Sequence, residues 1–134
     1  MWTIPAIRTK TGKKDHCLPL TKPALALLAS LDRVEGQTRL FPELGPNALL
    51  DCLHRLEPDK TVHGFRSSFR DWAGDETNFA REVIEETIGH KVGDDTENAY
   101  RRGTAMKKRK RVLDAWSSFV TGKQQDNILA FKSR

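Results

Sequence analysis

The chain has 134 residues, of which 37% are hydrophobic and 31% are charged, and its net charge at neutral pH is +5. This length and composition indicate one globular domain with a modest core and exclude a disordered chain. Two cysteines exclude a disulfide framework, and no apolar run is long enough to span a membrane. We therefore expect a cytoplasmic protein, whose excess of cations favours either a polyanionic partner or simply a well-solvated surface.

The N-terminal residues predict a β-hairpin. Residues 1–7 alternate apolar and polar side chains, with Pro5 confining that strand to an edge, and residues 16–20 form a second short strand. The turn between them, at 10–14, contains three lysines around one glycine, so that a basic tip would project from the hairpin.

Two helices are predicted after the hairpin. Thr21 is placed to cap the first helix, which has Pro23 in its first turn and an Ala- and Leu-rich body that runs to Leu31. A loop with several glycines and prolines follows. The second helix spans about 47–56 and ends before Pro58.

A third helix, from Gly64 to Gly74, and a fourth, from Phe79 to Ile88, follow at the centre of the chain, and the fourth ends at the C-cap residue Gly89. Apolar residues at helical spacing predict the buried positions of both helices. These positions are Phe65, Phe69, Trp72 and Ala73 in the third helix and Val83, Ile84, Thr87 and Ile88 in the fourth. The acids Glu82, Glu85 and Glu86 are expected to face solvent.

The last third of the chain predicts two more helices. Residues 94–97 resemble a capping box, so Tyr100 would lie on a short helix that Gly103 breaks. A final amphipathic helix is expected from Ala105, followed after Gly122 by a polar tail. Its predicted buried positions are Val112, Leu113, Trp116, Phe119 and Val120. Elsewhere in the chain, the residues also expected in the core are Trp2, Trp72, Cys17 and Cys52. The predicted fold is mainly α-helical with a small N-terminal β-hairpin.

Tyr100 is the only tyrosine in the chain, and two arginines follow it directly. Upstream lie an H-x-x-R motif, formed by His63 and Arg66, and a Gly-His pair that ends in His90. A phenol next to such groups suits attack on a phosphodiester, because arginine neutralises charge that grows on the phosphate oxygens and tyrosine can form a covalent phosphoryl intermediate. Histidine can bind the phosphate or move a proton, and a hairpin lysine can act as general acid.

Each residue also has a structural explanation. A single tyrosine on a helix is usually half-buried in a core. His63 could serve only to cap a helix, Arg66 could pair with Asp71 or Glu76, and His90 could complement a helix C-terminus. The joint pattern, rather than any one residue, favours a functional role.

Two further features are the basic run at 107–111 and the neighbouring residues Cys52 and His54. The five cations at 107–111 predict auxiliary contacts with nucleic-acid phosphates or, equally, the solvated face of the last helix, and the hairpin lysines would usually be a solvated turn. A metal site is not expected, because Cys52 and His54 are two residues apart on a predicted helix and point in different directions.

Three segments together resemble the tyrosine recombinase (phage integrase) family, of the prophage and genomic-island type. They are residues 61–73 around the H-x-x-R motif, 88–94 around the Gly-His pair, and 99–103 around the tyrosine; the hairpin and residues 113–116 also fit. The resemblance extends to about residue 120 and implies a DNA breaking-and-rejoining fold. It also implies site-specific DNA recombination, by which mobile DNA is integrated or excised.

The resemblance implies a role for each motif. Tyr100 would be the nucleophile that forms a 3′-phosphotyrosyl intermediate, and Arg66 the second catalytic arginine. His63 would assist proton transfer or bind phosphate, and His90 would hydrogen-bond the phosphate. Lys10 would be the general acid for the 5′-hydroxyl, with the other two hairpin lysines as close competitors. Further DNA contacts are expected from Lys13, Lys14, Arg101, Arg102, Lys107 and Lys108.

The resemblance also implies the partners. These are double-stranded DNA attachment sites and, in the full-length protein, other copies in a tetramer on DNA, with no metal, cofactor or membrane. Catalytic domains of this family begin before the hairpin, with a helix that carries the first catalytic arginine. We therefore expect residues 1–121 to be the C-terminal part of such a domain, inactive alone, with a polar tail at 122–134. The alternatives are a non-catalytic DNA-binding remnant of an integrase and type IB topoisomerase-like relaxation of DNA.

Overall fold

The computed structural model of the chain describes residues 1–9, 12–33, 35–90, 92 and 102–122, with the backbone alone at 102–104. This part consists of an antiparallel strand pair and five α-helices. The strands are β1 (Trp2–Ile4) and β2 (His16–Leu18), and the helices are α1 (Lys22–Ala29), α2 (Ala48–Leu56), α3 (Gly64–Asp75), α4 (Arg81–Thr87) and α5 (Arg102–Val120). The prediction of a mainly helical chain with an N-terminal hairpin is confirmed. No helix in these ranges is long and apolar enough to cross a bilayer.

The hairpin is shorter than the sequence predicts. Its register pairs Trp2 with Leu18, Thr3 with Cys17 and Ile4 with His16. After Pro5 the chain turns into a 3-10 helix (Ala6–Arg8), whose first N–H donates to Asp15 Oδ1 at 2.8 Å, so the first strand ends there. It is β2 that packs against α5. Trp2, on β1, is 55% exposed, and its predicted place in the core is wrong.

Thr21 caps α1, as predicted. Its Oγ1 accepts a hydrogen bond from the Ala24 N–H at 3.4 Å, which satisfies one of the free donors of the first turn. The helix ends at Ala29, two residues before the predicted end. There Ser30 Oγ donates to the Leu27 carbonyl at 2.8 Å and competes with continued helix formation.

Neither α1 nor α2 contributes to the main core. α1 has no buried residue, and α2 buries only Leu53 among its own residues. Cys52, on α2, is exposed and Cys17, on β2, is half-buried. The prediction that both cysteines are core residues is therefore wrong, since the helix that carries Cys52 turns that side to solvent.

The core lies between α3, α4 and α5. Its buried members, among the described residues, are Phe69, Trp72, Ala73, Val83, Ile84, Val112 and Ala115. Aromatic rings connect α3 to α5: the ring centroids of Trp72 and Trp116 are 5.1 Å apart, and Phe69 meets Trp116 edge-on at 5.6 Å. Such tilted and edge-on pairs add to the stabilisation that burial alone provides.

Predictions at the ends of these helices need correction. Phe65 is 61% exposed, because no described element covers the first turn of α3. Phe119 and Val120, in the last turn of α5, are also more than half exposed. The last helix, α5, begins at Arg102 and continues through Gly103, while the short helix predicted around Tyr100 lies outside the described residues. One glycine costs a helix only about 1 kcal/mol, which the packing of the following turns offsets.

Candidate functional site

The H-x-x-R motif lies at the start of α3. Thr61 Oγ1 accepts a hydrogen bond from the Gly64 N–H at 3.1 Å and thereby closes the first turn. His63 occupies the N-cap position, and its side chain makes no capping hydrogen bond. The structural explanation of His63 as a cap is therefore wrong, because Thr61 does this. The His63 ring is exposed and Arg66 is half-buried.

Arg66 differs from the arginines around it. Arg70, one turn later on α3, pairs with an acid of α4, and so does Arg109 on α5. Within the described side chains, the Arg66 guanidinium has no such ion pair and no hydrogen bond, so an acid near the end of its own helix does not neutralise it. A half-buried guanidinium stays charged and presents a planar set of donors, which suits an oxyanion.

The Gly-His pair follows α4 in a defined turn. The Gly89 N–H donates to the Glu86 carbonyl at 3.1 Å, and the His90 N–H donates to the Glu85 carbonyl at 2.9 Å. Gly89 has φ +76°, the left-handed conformation that this Schellman arrangement requires. The predicted C-cap is confirmed, and the turn fixes the direction in which His90 leaves the helix.

The side chain of Glu85 connects both motifs. Its Oε1 lies 2.7 Å from Arg70 Nε, and its Oε2 is hydrogen-bonded to His90 Nδ1. The hydrogen bond with His90, and then the one with Arg70, hold the pKa of Glu85 below its ordinary value of 4.5 despite partial burial. The Glu85 side chain is only 14% exposed and that of Glu86 13%, so the prediction that both face solvent is wrong.

His16, on β2, is a site residue that the sequence did not single out. Its imidazole packs on Gly89, with Nε2 3.6 Å from where a Cβ would stand. Burial lowers the pKa of His16, the backbone of Thr87 opposes this by favouring the protonated ring, and the nearby charges of Arg109 and Arg66 lower the pKa further.

A signal for His16 was present in the strand pattern. His16 and Leu18 are two residues apart on β2 and so lie on one face of the strand, where the apolar neighbour indicates burial. The histidine connects the hairpin to the end of α4. It contacts the residue before His90 and lies within electrostatic range of Arg66.

The basic run on α5 is not uniform. Lys107, Lys108 and Arg111 are exposed. Lys110 is half-buried, and its Nζ lies 2.5 Å from the carboxylate of Asp114 one turn later. The run therefore divides into three cations that are open to solvent and others that are bound within the chain, and the predicted contacts with nucleic acid stay a prediction.

Arg109, in the same run, has a different environment. Its Nη1 donates to the Cys17 carbonyl at 3.2 Å, and its Nη2 lies 3.5 Å from Glu86 Oε2. This guanidinium therefore joins β2, α4 and α5. Its Nε is buried without a hydrogen-bond partner among the described residues.

Several predicted site residues cannot be placed against this cluster. Tyr100, Lys10 and Arg101 lie outside the described residues, and Arg102 is described only as the first backbone position of α5. Lys13 and Lys14 are exposed in the hairpin turn. Among the described residues, no group of three or more His, Cys, Asp or Glu side chains is placed to hold a metal ion.

Comparison with known proteins identifies two relatives. Prophage integrase IntA of Escherichia coli (strain K12) is 29% identical over 138 residues, which cover 96% of this chain and 33% of IntA. The integrase of Enterobacteria phage P4 is 24% identical over 144 residues, which cover 90% of this chain and 33% of that protein. The chain thus spans about a third of the length of these relatives. No family model matches it, and no solved structure is significantly similar. The two similarities show that the chain is related to the prophage and phage integrases.

Proposed function

We propose that the chain is the C-terminal part of the catalytic domain of a tyrosine site-specific recombinase. It would cut and rejoin DNA through a 3′-phosphotyrosyl intermediate, and so integrate or excise mobile DNA. Residues 1–121 would belong to the catalytic domain and residues 122–134 would form a polar tail. The names of the two relatives support the class of reaction.

One observation carries the proposal. Arg70 and Arg109 are paired with Glu85 and Glu86, whereas the half-buried Arg66 has no acidic partner among the described residues. Burying a guanidinium costs free energy unless an anion pairs with it. Arg66 is thus suited to a phosphate, and the histidines 16, 63 and 90 lie on the elements around it.

In the proposed reaction, the Tyr100 oxygen attacks the phosphorus of the scissile phosphate, and the phenolic proton passes to His63. The bond between phosphorus and the 5′-oxygen breaks, and Lys10 gives a proton to that oxygen. Arg66, with His63 and His90, neutralises the charge that grows on the non-bridging oxygens. The tyrosyl phosphodiester conserves the bond energy, so the 5′-hydroxyl of a second DNA strand can displace Tyr100 and reseal without a nucleotide.

The exposed cations supply sequence-independent contacts with the DNA backbone. Lys107 and Lys108 are exposed on α5, and Lys13 and Lys14 on the hairpin turn. Arg101 and Arg102 would act next to the nucleophile. In the full-length protein we expect four copies to assemble on paired double-stranded attachment sites.

Covalent trapping tests the proposal. Nicked attachment-site DNA would be incubated with the chain alone and with the chain extended at its N-terminus by the upstream region of its gene. We expect an adduct that survives denaturant with the extended protein and that disappears in Tyr100→Phe. Arg66→Ala should slow adduct formation by about 10²–10³-fold, as loss of one oxyanion donor does. Arg81→Ala, an exposed arginine on α4, is the matched control and should react normally.

The outcomes separate the alternative functions. DNA binding without an adduct in either protein would replace the proposal with a non-catalytic DNA-binding role. Relaxation of any supercoiled plasmid, without exchange between two specific sites, would indicate topoisomerase-like activity. An adduct with the extended protein alone supports the proposal and the expectation that residues 1–134 are inactive by themselves.

A further inference from the structure

Glu85 binds two side chains, from α3 and from the turn after α4, with one carboxylate. Oε1 accepts from Arg70 Nε at 2.7 Å, and Oε2 is bonded to His90 Nδ1. The carboxylate is only 14% exposed, whereas the side chains of Arg70 and His90 are 50% and 51% exposed. Glu85 is therefore the most buried member of this cluster, and the more exposed Arg70 and His90 side chains are both bonded to it.

The backbone of Glu85 holds His90 as well. Its carbonyl accepts the His90 N–H at 2.9 Å in the turn that ends α4. One residue thus constrains both the main chain and the imidazole of His90, which leaves the ring few alternative rotamers. Arg70 lies four residues after Arg66 on α3, so the bond from Arg70 to Glu85 also fixes α4 relative to the turn that carries Arg66.

The bond determines which ring nitrogen of His90 faces outward. A carboxylate oxygen accepts only, so Nδ1 must carry the hydrogen in this bond, and Nε2 is the ring nitrogen that this bond does not use. A phosphate oxygen also accepts only. When a phosphate binds at Nε2, the imidazole carries hydrogens on both nitrogens and donates one to Glu85 and one to the phosphate.

We propose that Glu85 is a positioning residue for the recombination reaction: it presents Nε2 of His90 to the scissile phosphate and, through Arg70, sets that nitrogen relative to the Arg66 guanidinium. This inference rests on the proposed function, because it takes a DNA phosphate as the group that His90 meets. It assigns a role to an acid that lies within none of the three motifs.

Nuclear magnetic resonance of the full chain, labelled with ¹⁵N-histidine, tests the positioning itself. Long-range proton–nitrogen correlations show which ring nitrogen of neutral His90 carries hydrogen. In the wild-type chain we expect it on Nδ1. In Glu85→Ala the population should shift towards Nε2, which is the position preferred by an imidazole without a partner. Glu82→Ala, an exposed acid on the same helix, should leave the His90 signals unchanged.

This measurement overturns the inference in two ways. The inference is wrong if neutral His90 in the wild-type chain carries its hydrogen on Nε2. This observation needs no variant, so it does not depend on whether Glu85→Ala folds. An unchanged His90 tautomer in a folded Glu85→Ala chain would overturn the inference as well. Neither result depends on whether an adduct forms at Tyr100. A failure of the positioning role can therefore be distinguished from a failure of the proposed recombinase function.

Kinetics in the extended protein test the consequence. Glu85→Gln retains the size of the side chain but loses its charge, and we expect adduct formation to slow by about tenfold or more, as loss of a residue that orients a ligating histidine does. DNA affinity should stay within about twofold, because Glu85 touches no phosphate. Glu82→Gln should react at the wild-type rate. A normal rate in Glu85→Gln, with Tyr100→Phe inactive, would refute the positioning role and leave the recombinase proposal intact.

Discussion

Arg109 Nη1 donates a hydrogen bond to the carbonyl oxygen of Cys17 across 92 positions of sequence, at 3.2 Å. The same guanidinium lies 3.5 Å from Glu86, so one side chain on α5 holds both the hairpin and α4. Arg109→Ala removes both contacts and leaves Glu86 covered without a cation. We expect the free energy of unfolding to fall by about 1–3 kcal/mol in urea denaturation.

The matched control for Arg109 is Arg111→Ala, an exposed arginine on the same helix. Its free energy of unfolding should stay within about 0.5 kcal/mol of the wild-type value. Equal losses in both variants would mean that helix propensity, rather than the connection to Cys17 and Glu86, determines the effect.

Two glycines should respond to alanine in opposite directions. Gly89→Ala places a Cβ at φ +76°, where it meets the His16 ring at an ordinary 3.6 Å, so the cost comes from backbone strain. We expect a loss of about 1–2 kcal/mol in thermal or urea unfolding. Gly74→Ala lies within α3 with nothing inside 4 Å of its Cβ, and it should gain about 0.5–1 kcal/mol. Losses in both variants would contradict this assignment.

Acid should destabilise the fold in two steps. The pKa of His16 is lowered in the folded state. Below the ordinary value of 6.5 the unfolded chain therefore binds a proton that the folded chain does not, and the free energy of unfolding decreases as the pH is lowered. The pKa of Glu85 is also lowered, so its contribution is present above the ordinary value of 4.5 and is lost as the pH falls through the folded value.

Urea unfolding over a series of pH values measures both steps. His16→Asn should flatten the dependence that begins near 6.5, and Glu85→Gln should flatten the one below 4.5. Each variant should leave the other window unchanged, since the two side chains share no hydrogen bond. If the free energy of unfolding of His16→Asn still falls below pH 6.5 as in the wild-type chain, another group is responsible for that dependence.

The salt dependence of DNA binding should distinguish the lysines of α5. Under the proposed function, Lys107→Gln and Lys108→Gln should each reduce the slope of log affinity against log salt by about 0.9, because each contact releases a counterion. Lys110 is held by Asp114 at 2.5 Å, so Lys110→Gln should change the slope less. Filter binding or fluorescence anisotropy of duplex DNA measures this, and equal effects from all three would rule out a separate role for the exposed pair.

Local sequence rules predicted the features that depend on near neighbours. The cap at Thr21, the turn at Gly89 and the buried face around Phe69 and Trp72 follow from caps, glycine conformation and helical spacing. The integrase relationship also came from local motifs. These interactions span only a few residues, so the chain specifies them wherever the helices pack.

Features that depend on distant residues were missed. Glu85 and Glu86 carry the pattern of a solvent-facing helix side, yet Arg70, His90 and Arg109 bind them from other elements. Phe65 has the spacing of a core residue but is 61% exposed, at the first turn of α3. His16 became visible as a site residue only when the hairpin was placed against Gly89. No local pattern encodes which elements meet.

The indole rings of Trp72 and Trp116 lie 5.1 Å apart and are tilted by 54°. Two transition dipoles so close and so inclined couple, and should give a split circular dichroism band that an isolated tryptophan lacks. Trp2, exposed on the hairpin, has no such neighbour among the described rings. The split band therefore reports the packing of α3 on α5 without an added dye. Changes at the hairpin should leave it unaltered.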